Sequence, residues 1–329
     1  MSYTVQSPVL LLTFNRPDLA LQVFRQVQAV KPARLYIAAD GPRPGVAADQ
    51  DLCAAARRIY DNINWPCQVH KLFNLQNKGC KIAVAEAITW FFEQEEEGII
   101  LEDDCLPAND FFYFCDAMLM RYRDDTRMMN ITGTNLQMGQ QRGRGSYYFS
   151  EYSHIWGWAS WRRAWQHYDV HLAGHEAAEV GRQLRHIFTD RFLVAGWVDI
   201  FKRLQRGGID SWDYQFNFTT FFQHGLCITP NVNLVSNLGF RADATHTYHS
   251  WKDHAALPTG VLPRPLVHPD LVIPEKDADY FFLAKDFFLA EKWRKFEKDK
   301  LLRRRFKRWA RNLFKKDPQR NNSADVIST

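Results

Sequence analysis

The chain has 329 residues, 46% apolar and 14% aromatic, which is ample for the core of one large α/β domain or two small ones. Its formal charge of +5 is uneven: residues 292–316 carry thirteen Lys and Arg against Glu297 and Asp299, a net of +11, so the remainder is near −6 and the overall basicity describes a tail. No stretch approaches the ~18–20 apolar residues of a membrane span, and the apolar run 8–14 is too short and lacks the basic start of a secretion signal. The six Cys (53, 67, 80, 105, 115 and 227) have no zinc-site spacing, so buried thiols in a reducing cytosol are expected.

Residues 9–14 are apolar almost throughout and predict a first strand buried on both faces. Asn15 suits a helix cap and Pro17 a first helical turn, and Leu19, Val23, Val27 and Val30 mark one face of the helix that follows. Residues 34–39 read as a second strand ending in a turn at Asp40-Gly41-Pro42. Residues 47–63 read as a helix with Leu52, Ala56, Ile59 and Tyr60 on one side. A third strand at 66–73, a loop at 74–79 and a helix at 80–95 lead to the short apolar run Ile99, Ile100 and Leu101. Strand and helix alternate with short connections, which predicts a Rossmann-like, doubly wound sheet.

This fourth strand ends on three consecutive carboxylates, Glu102, Asp103 and Asp104, and Asn109 or Asp110 can cap a helix starting near Phe111. Ligands of open parallel sheets bind beyond the carboxyl ends of the strands. Acids crowded there repel one another and lose hydration, and a hard divalent cation relieves both, with much of its shell left for phosphate oxygens. Mn²⁺ or Mg²⁺ is therefore expected; a solvated acidic loop is the competing reading. Cys105 is a soft ligand in an oxygen-rich neighbourhood, which argues against it as a metal site. No G-x-G-x-x-G follows the first strand and no G-x-x-x-x-G-K-[ST] is present, which excludes a P-loop and argues against a dinucleotide dehydrogenase.

Beyond the acids the alternation weakens. Residues 111–122 read as a helix, 128–132 as a strand and 137–145 as a polar, Gly-rich mobile loop. Residues 147–153 are strand-like, 192–204 an amphipathic helix, 211–222 another helix and 225–230 a strand. The Pro-rich stretch from His249 reads as an irregular wrapping segment.

Taken together, Asp40-Gly41, Asn77-Lys78-Gly79, Glu102-Asp103-Asp104 and Trp212-Asp213 resemble the GT-A-fold glycosyltransferases, whose acidic triplet holds a divalent metal and a nucleotide-sugar. Residues 101–114 are similar to the N-acetylglucosaminyltransferase I family, which has Glu-Asp-Asp-Leu and then a Pro-Asp-Phe-Phe-x-Tyr-Phe run. Ile131-Thr132-Gly133-Thr134-Asn135, Gly157-Trp158 with Trp165, Trp212-Asp213 and the stretch from Gly225 to Pro230 follow in that family's order, and Asn77-x-Gly79 is similar to the large family-two transferases. The resemblance spans roughly residues 8–247. It implies a mixed, mostly parallel sheet flanked by helices as one domain over 1–248, with a wrapping segment at 249–286, a basic amphipathic helix at 287–316 and a disordered end at 317–329.

By the same resemblance Asp104 binds the metal, and Glu102 and Asp103 approach the ribose and the inner shell. Asp40 contacts the base, and Thr13, Asn15, Arg16, Asn77, Gly79 and Lys81 line the nucleotide-sugar. Asp213 is the catalytic base. The family's His after the Lys-Ile-Ala stretch is absent, since Lys81-Ile82-Ala83 runs into Val84-Ala85, and this leaves the donor's base open. Independently of family, glycosyl transfer needs charge stabilisation on a diphosphate leaving group and a carboxylate to deprotonate the acceptor hydroxyl. Asp213 also has a structural reading, as a carboxylate favoured at a helix N-terminus. His246 is a candidate second metal ligand or a structural His. Trp156, Trp158 and Trp161 either stack on an acceptor sugar or pack in the core.

In the tail Trp293, Phe296, Leu302, Phe306, Trp309 and Leu313 recur near helical spacing among Lys and Arg. That pattern suits a helix lying on an anionic membrane, with docking on the acidic domain as the alternative and nucleic acid not expected. The expectation is a cytoplasmic protein, peripheral on the inner face of the membrane. It would be a metal-dependent inverting glycosyltransferase using a nucleotide-sugar donor and a glycan or lipid-linked acceptor in surface polysaccharide or lipopolysaccharide synthesis. The rivals are a nucleotidyltransferase and a non-catalytic, membrane-active, haemolysin-like protein.

Overall fold

The structure, a computed structural model, describes residues 3–240 and 254–314. It begins with three strand–helix units: β1 (Val9–Thr13), α1 (Pro17–Val30), β2 (Arg34–Ala39), α2 (Ala47–Arg58), β3 (Gln68–Phe73) and α3 (Cys80–Gln94). β4 (Glu97–Glu102), β5 (Cys105–Pro107), α4 (Asn109–Arg121), β6 (Met128–Thr132), β7 (Tyr147–Ser150) and β8 (Trp158–Trp161) follow. The remainder comprises α5 (Arg162–Trp165), α6 (Ala177–Gln183), α7 (Arg191–Gln205), α8 (Asp213–Phe222), β9 (Leu226–Pro230), β10 (Val235–Asn237), α9 (Lys276–Asp286) and α10 (Leu289–Phe314). No helix among the described residues is long and apolar enough to cross a membrane.

One eight-stranded sheet, in the order β3-β2-β1-β4-β8-β6-β9-β7, organises the molecule. The strands β3, β2, β1 and β4 run parallel; β1, β2 and β4 carry the buried apolar runs of such a sheet, and β3, Gln-Val-His-Lys-Leu-Phe, is its largely exposed edge. β8 is antiparallel to both neighbours and inserts between β4 and β6. Its four residues, Trp-Ala-Ser-Trp, are all buried, so no alternation announced a strand there. β5 and β10 form a separate antiparallel pair just beyond the end of β4. The α1 and α4 side chains, including Val23, Val27, Phe111 and Phe112, share one core with the sheet. Trp158, Trp165, Trp212 and Phe216 pack with α3 in a second, and α6–α9 close a third around Trp197 and Phe201.

Several local expectations need correction. Asn15 does not cap α1; the N-cap is Arg16 without a side-chain bond, and Asn15 donates to Asp49 Oδ1 at 2.8 Å. Asn109 and Asp110 lie inside α4, and Asp110 instead accepts from the Leu262 amide (2.8 Å) and from Arg264 Nη2 (2.8 Å). α2 turns Asp49, Cys53 and Ala56 inward and leaves Leu52 exposed, and the inward Asp49 meets Arg43 Nε at 2.6 Å. The loop 137–145 is tied down: Asn231 accepts from the Arg142 amide, and Gln137 donates to the Ala278 carbonyl. The segment 249–286 is not wholly irregular, since α9 occupies its end with Phe282 and Leu283 in the core.

Candidate active site

Register brings the strand ends together. Thr13 pairs with Ala39 across β1 and β2, and Leu12 pairs with Glu102 across β1 and β4. The next residues, Phe14, Asp40 and Asp103, therefore emerge at one edge of the sheet, where a cavity of about 410 Å³ opens. Residues 13–16 after β1 line it, with Asp40 and Arg43 after β2 and Asn77, Gly79 and Cys80 at the start of α3. Glu102, Asp103 and Asp104 line it from β4, Trp156 from the β7–β8 connection, residues 209–214 from the approach to α8, and Asn237, Gly239 and Phe240 from the end of β10.

Among the described residues, six carboxylates face this cavity against two cations, Arg16 and Arg43. Arg16 Nη1 reaches Asp104 Oδ2 at 3.1 Å. Asp103 Oδ2 accepts from the Phe14 amide at 3.1 Å and from the Thr13 hydroxyl at 3.5 Å. Glu102 Oε1 is buried with no hydrogen-bond partner among the described residues. Burial, then repulsion from Asp104, Asp103 and Asp213, drives the Glu102 carboxyl well above its ordinary range. Burial and Asp104 lift Asp103 to about 7, against the opposing pull of Arg16 and its hydrogen bonds. Asp104 is raised too, since burial outweighs Arg16.

Oxygen donors that are crowded, partly desolvated and short of positive charge fit a hard divalent cation. Gly239 sharpens the fit: a Cβ there would lie 2.1 Å from Asp104 Oδ2, so only glycine leaves that carboxylate its place. Among the described residues, no group of three or more His, Cys, Asp and Glu is already arranged to hold a metal. Arg16 occupies one oxygen of Asp104 meanwhile.

The opposite wall is acidic but satisfied. Asp40 accepts from the Gly41 amide (2.9 Å), Asn74 Nδ2 (3.2 Å), Asn77 Nδ2 (2.8 Å) and the Lys78 amide (3.1 Å). Four donors fill the capacity of a carboxylate. Asp40 therefore braces the loop that carries Asn77 and Gly79. Behind it, buried Asp49 takes Arg43 Nε (2.6 Å), Arg43 Nη2 (2.9 Å) and Asn15 Nδ2 (2.8 Å). The Arg43 guanidinium lies 5.5 Å from the centre of the Phe14 ring, and both side chains line the cavity.

Asp213 is the first residue of α8, lines the cavity and accepts a hydrogen bond from the Ser211 hydroxyl. Its charge raises Glu102, so the two face one field. Asp210 stands nearby and accepts weakly from the Lys81 amide at 3.4 Å, at the N-terminus of α3. The Lys81 side chain is not among those lining the cavity. Of the three Trp considered for an acceptor, only Trp156 lines the cavity. Trp158 stacks on Trp212 at 5.6 Å and is wholly buried; Trp161 is buried too, and Arg163 lies over its ring at 4.3 Å. Neither presents a face to a sugar, because both belong to the all-buried strand β8. His246 lies outside the described residues.

Sequence reasoning missed Arg43, Asp49 and the Asn237-to-Phe240 corner. A scan against protein-family models gives no match for the chain, and neither does a comparison with curated proteins.

Proposed function

We propose that the chain is a divalent-cation-dependent, inverting glycosyltransferase of the GT-A type, moving a sugar from a nucleotide diphosphate to a hydroxyl of a glycan or lipid-linked acceptor. The observation that carries this reading is the meeting, in one cavity, of the under-compensated triplet Glu102, Asp103 and Asp104 with Asp213 at the head of α8. An acidic cavity alone repels a diphosphate. One that also fits a cation can bind it, and the carboxyl ends of parallel strands are where such ligands sit.

Asp104 would hold the cation, with Glu102 and Asp103 contributing negative charge behind it. Bound there, a divalent ion supplies the positive charge that a departing diphosphate needs. Arg16, already at Asp104, is the chain's own cation for phosphate oxygens. Thr13, Asn15, Phe14 and Arg43 form the wall available to the nucleoside. Asp213 takes the proton of the attacking hydroxyl, oriented by Ser211 and favoured at a helix N-terminus. Trp156 offers the acceptor an aromatic face. A base separate from the triplet implies a single displacement with inversion.

The test is donor binding by calorimetry and donor turnover, after thermal-shift screening of nucleotide-sugars with Mn²⁺. Asp104→Ala should abolish Mn²⁺-dependent donor binding. Asp213→Asn should keep donor affinity within about threefold while turnover falls roughly 10²–10⁴-fold, the range for one lost general base. Donor binding that is indifferent to chelator, together with parental turnover by Asp213→Asn, would sink the proposal.

A further inference from the structure

Helix α10 has two halves in different surroundings. The first is part of the folded body. Leu289 is buried, Trp293 Nε1 donates to Asp190 Oδ2 at 2.7 Å, and Trp293 and Phe296 pack on Phe192 at 4.9 and 6.0 Å between ring centres. Asp190 is also the N-cap of α7, accepting from the Phe192 amide at 2.7 Å, so one carboxylate ties the two helices together. Docking on the domain thus accounts for the first two aromatics of the tail.

The second half has no such seat among the described residues. Leu302 is 61% exposed, Phe306 65% and Trp309 58%, and the last two rings touch at 5.6 Å. Spaced i, i+4 and i+7, they form one apolar row on a helix. At 100° per residue, Lys298 and Arg305 border this row on one side and Arg303, with Asp299 a turn earlier, on the other, while Lys300, Arg304, Lys307 and Arg311 point away. From 295 to 311 there are nine Lys and Arg against Glu297 and Asp299.

We infer that residues 301–311 dock on an anionic lipid bilayer, with Leu302, Phe306 and Trp309 in the acyl boundary and the flanking cations at the headgroups. The charge and the apolar row select this occupant jointly. Nucleic acid would neutralise the charge and leave the apolar row in water. A second copy would cover the row but bring an equal positive charge against it. A bilayer with anionic headgroups meets both, since basic side chains with apolar stems reach outward from a buried row. The rigid attachment of the first half through Asp190 would hold the catalytic body at a fixed attitude to that surface, close to lipid-linked acceptors. This surface does not depend on the catalytic reading.

The experiment is co-sedimentation of the full chain with phosphatidylcholine vesicles, with and without phosphatidylglycerol. Phosphatidylglycerol should strengthen binding at least about tenfold, and the gain should fade at high salt. Phe306→Ser with Trp309→Ser, and separately Arg303→Glu with Arg305→Glu, should each weaken binding about tenfold or more without moving the melting temperature. Equal binding by the parent and the Phe306/Trp309 variant overturns the inference, as does failure of the parent to bind either vesicle. So does tighter binding to duplex DNA or poly-glutamate than to the anionic vesicles. Self-association lost in the same variant, without vesicle binding, assigns the face to a second copy instead.

Discussion

Two walls of the same cavity are acidic, and they are built on opposite terms. On the β2 side, Asp40 and Asp49 are met by donors at every oxygen, and the Arg43 hydrogen bonds hold Asp49 down to about 2 despite its burial. On the β4 side, three carboxylates share Arg16, two donors to Asp103, the Cys105 thiol at Asp104 and a side-chain hydrogen bond from Trp212 to Glu102, and burial drives them upward. Burial is common to both. Compensation separates a brace from a site: a satisfied acid stabilises the fold, whereas an unsatisfied one destabilises it and persists where a ligand supplies what is missing.

The sharpest way to break this comparison is to remove one acid from behind the first wall and one from the second, and look for opposite signs. Asp49→Ala should destabilise by about 3 kcal/mol in urea unfolding at neutral pH, because Asn15 and Arg43 lose a buried acceptor. In the parent that stabilisation is fully present above the ordinary Asp value of 3.8 and is lost as pH falls through about 2. A loss under about 1 kcal/mol would mean that the Asp49 cluster is not a brace.

Glu102→Gln should do the reverse and stabilise by about 2 kcal/mol at pH 7. To fold at that pH, Glu102 must take up a proton or stay charged among Asp103, Asp104 and Asp213; a neutral amide avoids both. The gain should vanish as pH falls through 4.5, where the unfolded carboxyl is protonated anyway. The variant should also blunt the rise in melting temperature on adding Mn²⁺. Asp103 and Asp279, each raised to about 7, act in the same direction, so parental stability should decline from pH 3.8 to about 7. Asp103→Asn should flatten only the cavity's share of that decline. A Glu102→Gln protein less stable than the parent at pH 7 would show that Glu102 is compensated after all.

What the sequence revealed follows the range of the interactions. β1, β2 and β4 were legible because both their faces are buried and their residues are apolar in a run. The triplet was legible because its members are adjacent in sequence and sit on such a run. β8 was not, since a four-residue buried strand with tryptophan at both ends reads equally well as a binding surface, which left Trp158 and Trp161 open between a sugar platform and the core. The Asp49 cluster was hidden because its partners lie 6 and 34 residues away. The division of α10 turns on Phe192 and Asp190, about a hundred residues upstream of their partners on that helix. Periodicity shows a helix's apolar face but not which part of it finds a neighbour.

The smallest expected effect separates Asp40 as a brace from Asp40 as a contact to the nucleobase. Asp40→Asn keeps one acceptor oxygen. Placed at Oδ1, that oxygen still serves the Gly41 and Lys78 amides and Asn74. The new amide group then meets Asn77 Nδ2, another donor, and one of the two must turn. Turning Asn77 gives up its bond to the Gly41 carbonyl, now 3.1 Å. One exchanged hydrogen bond near the surface should cost about 1 kcal/mol of stability. The loop 74–79 stays in place through the three retained donors, so donor affinity should change by less than about threefold. An Asp40 that bonds the base predicts another outcome, because loss of a charged hydrogen bond of about 1.5–3 kcal/mol weakens donor binding roughly ten- to a hundredfold. Calorimetry of the variant with the parent's donor, beside its urea unfolding, distinguishes the two. A large affinity loss with unchanged stability would move Asp40 out of the satisfied wall and make it part of the site.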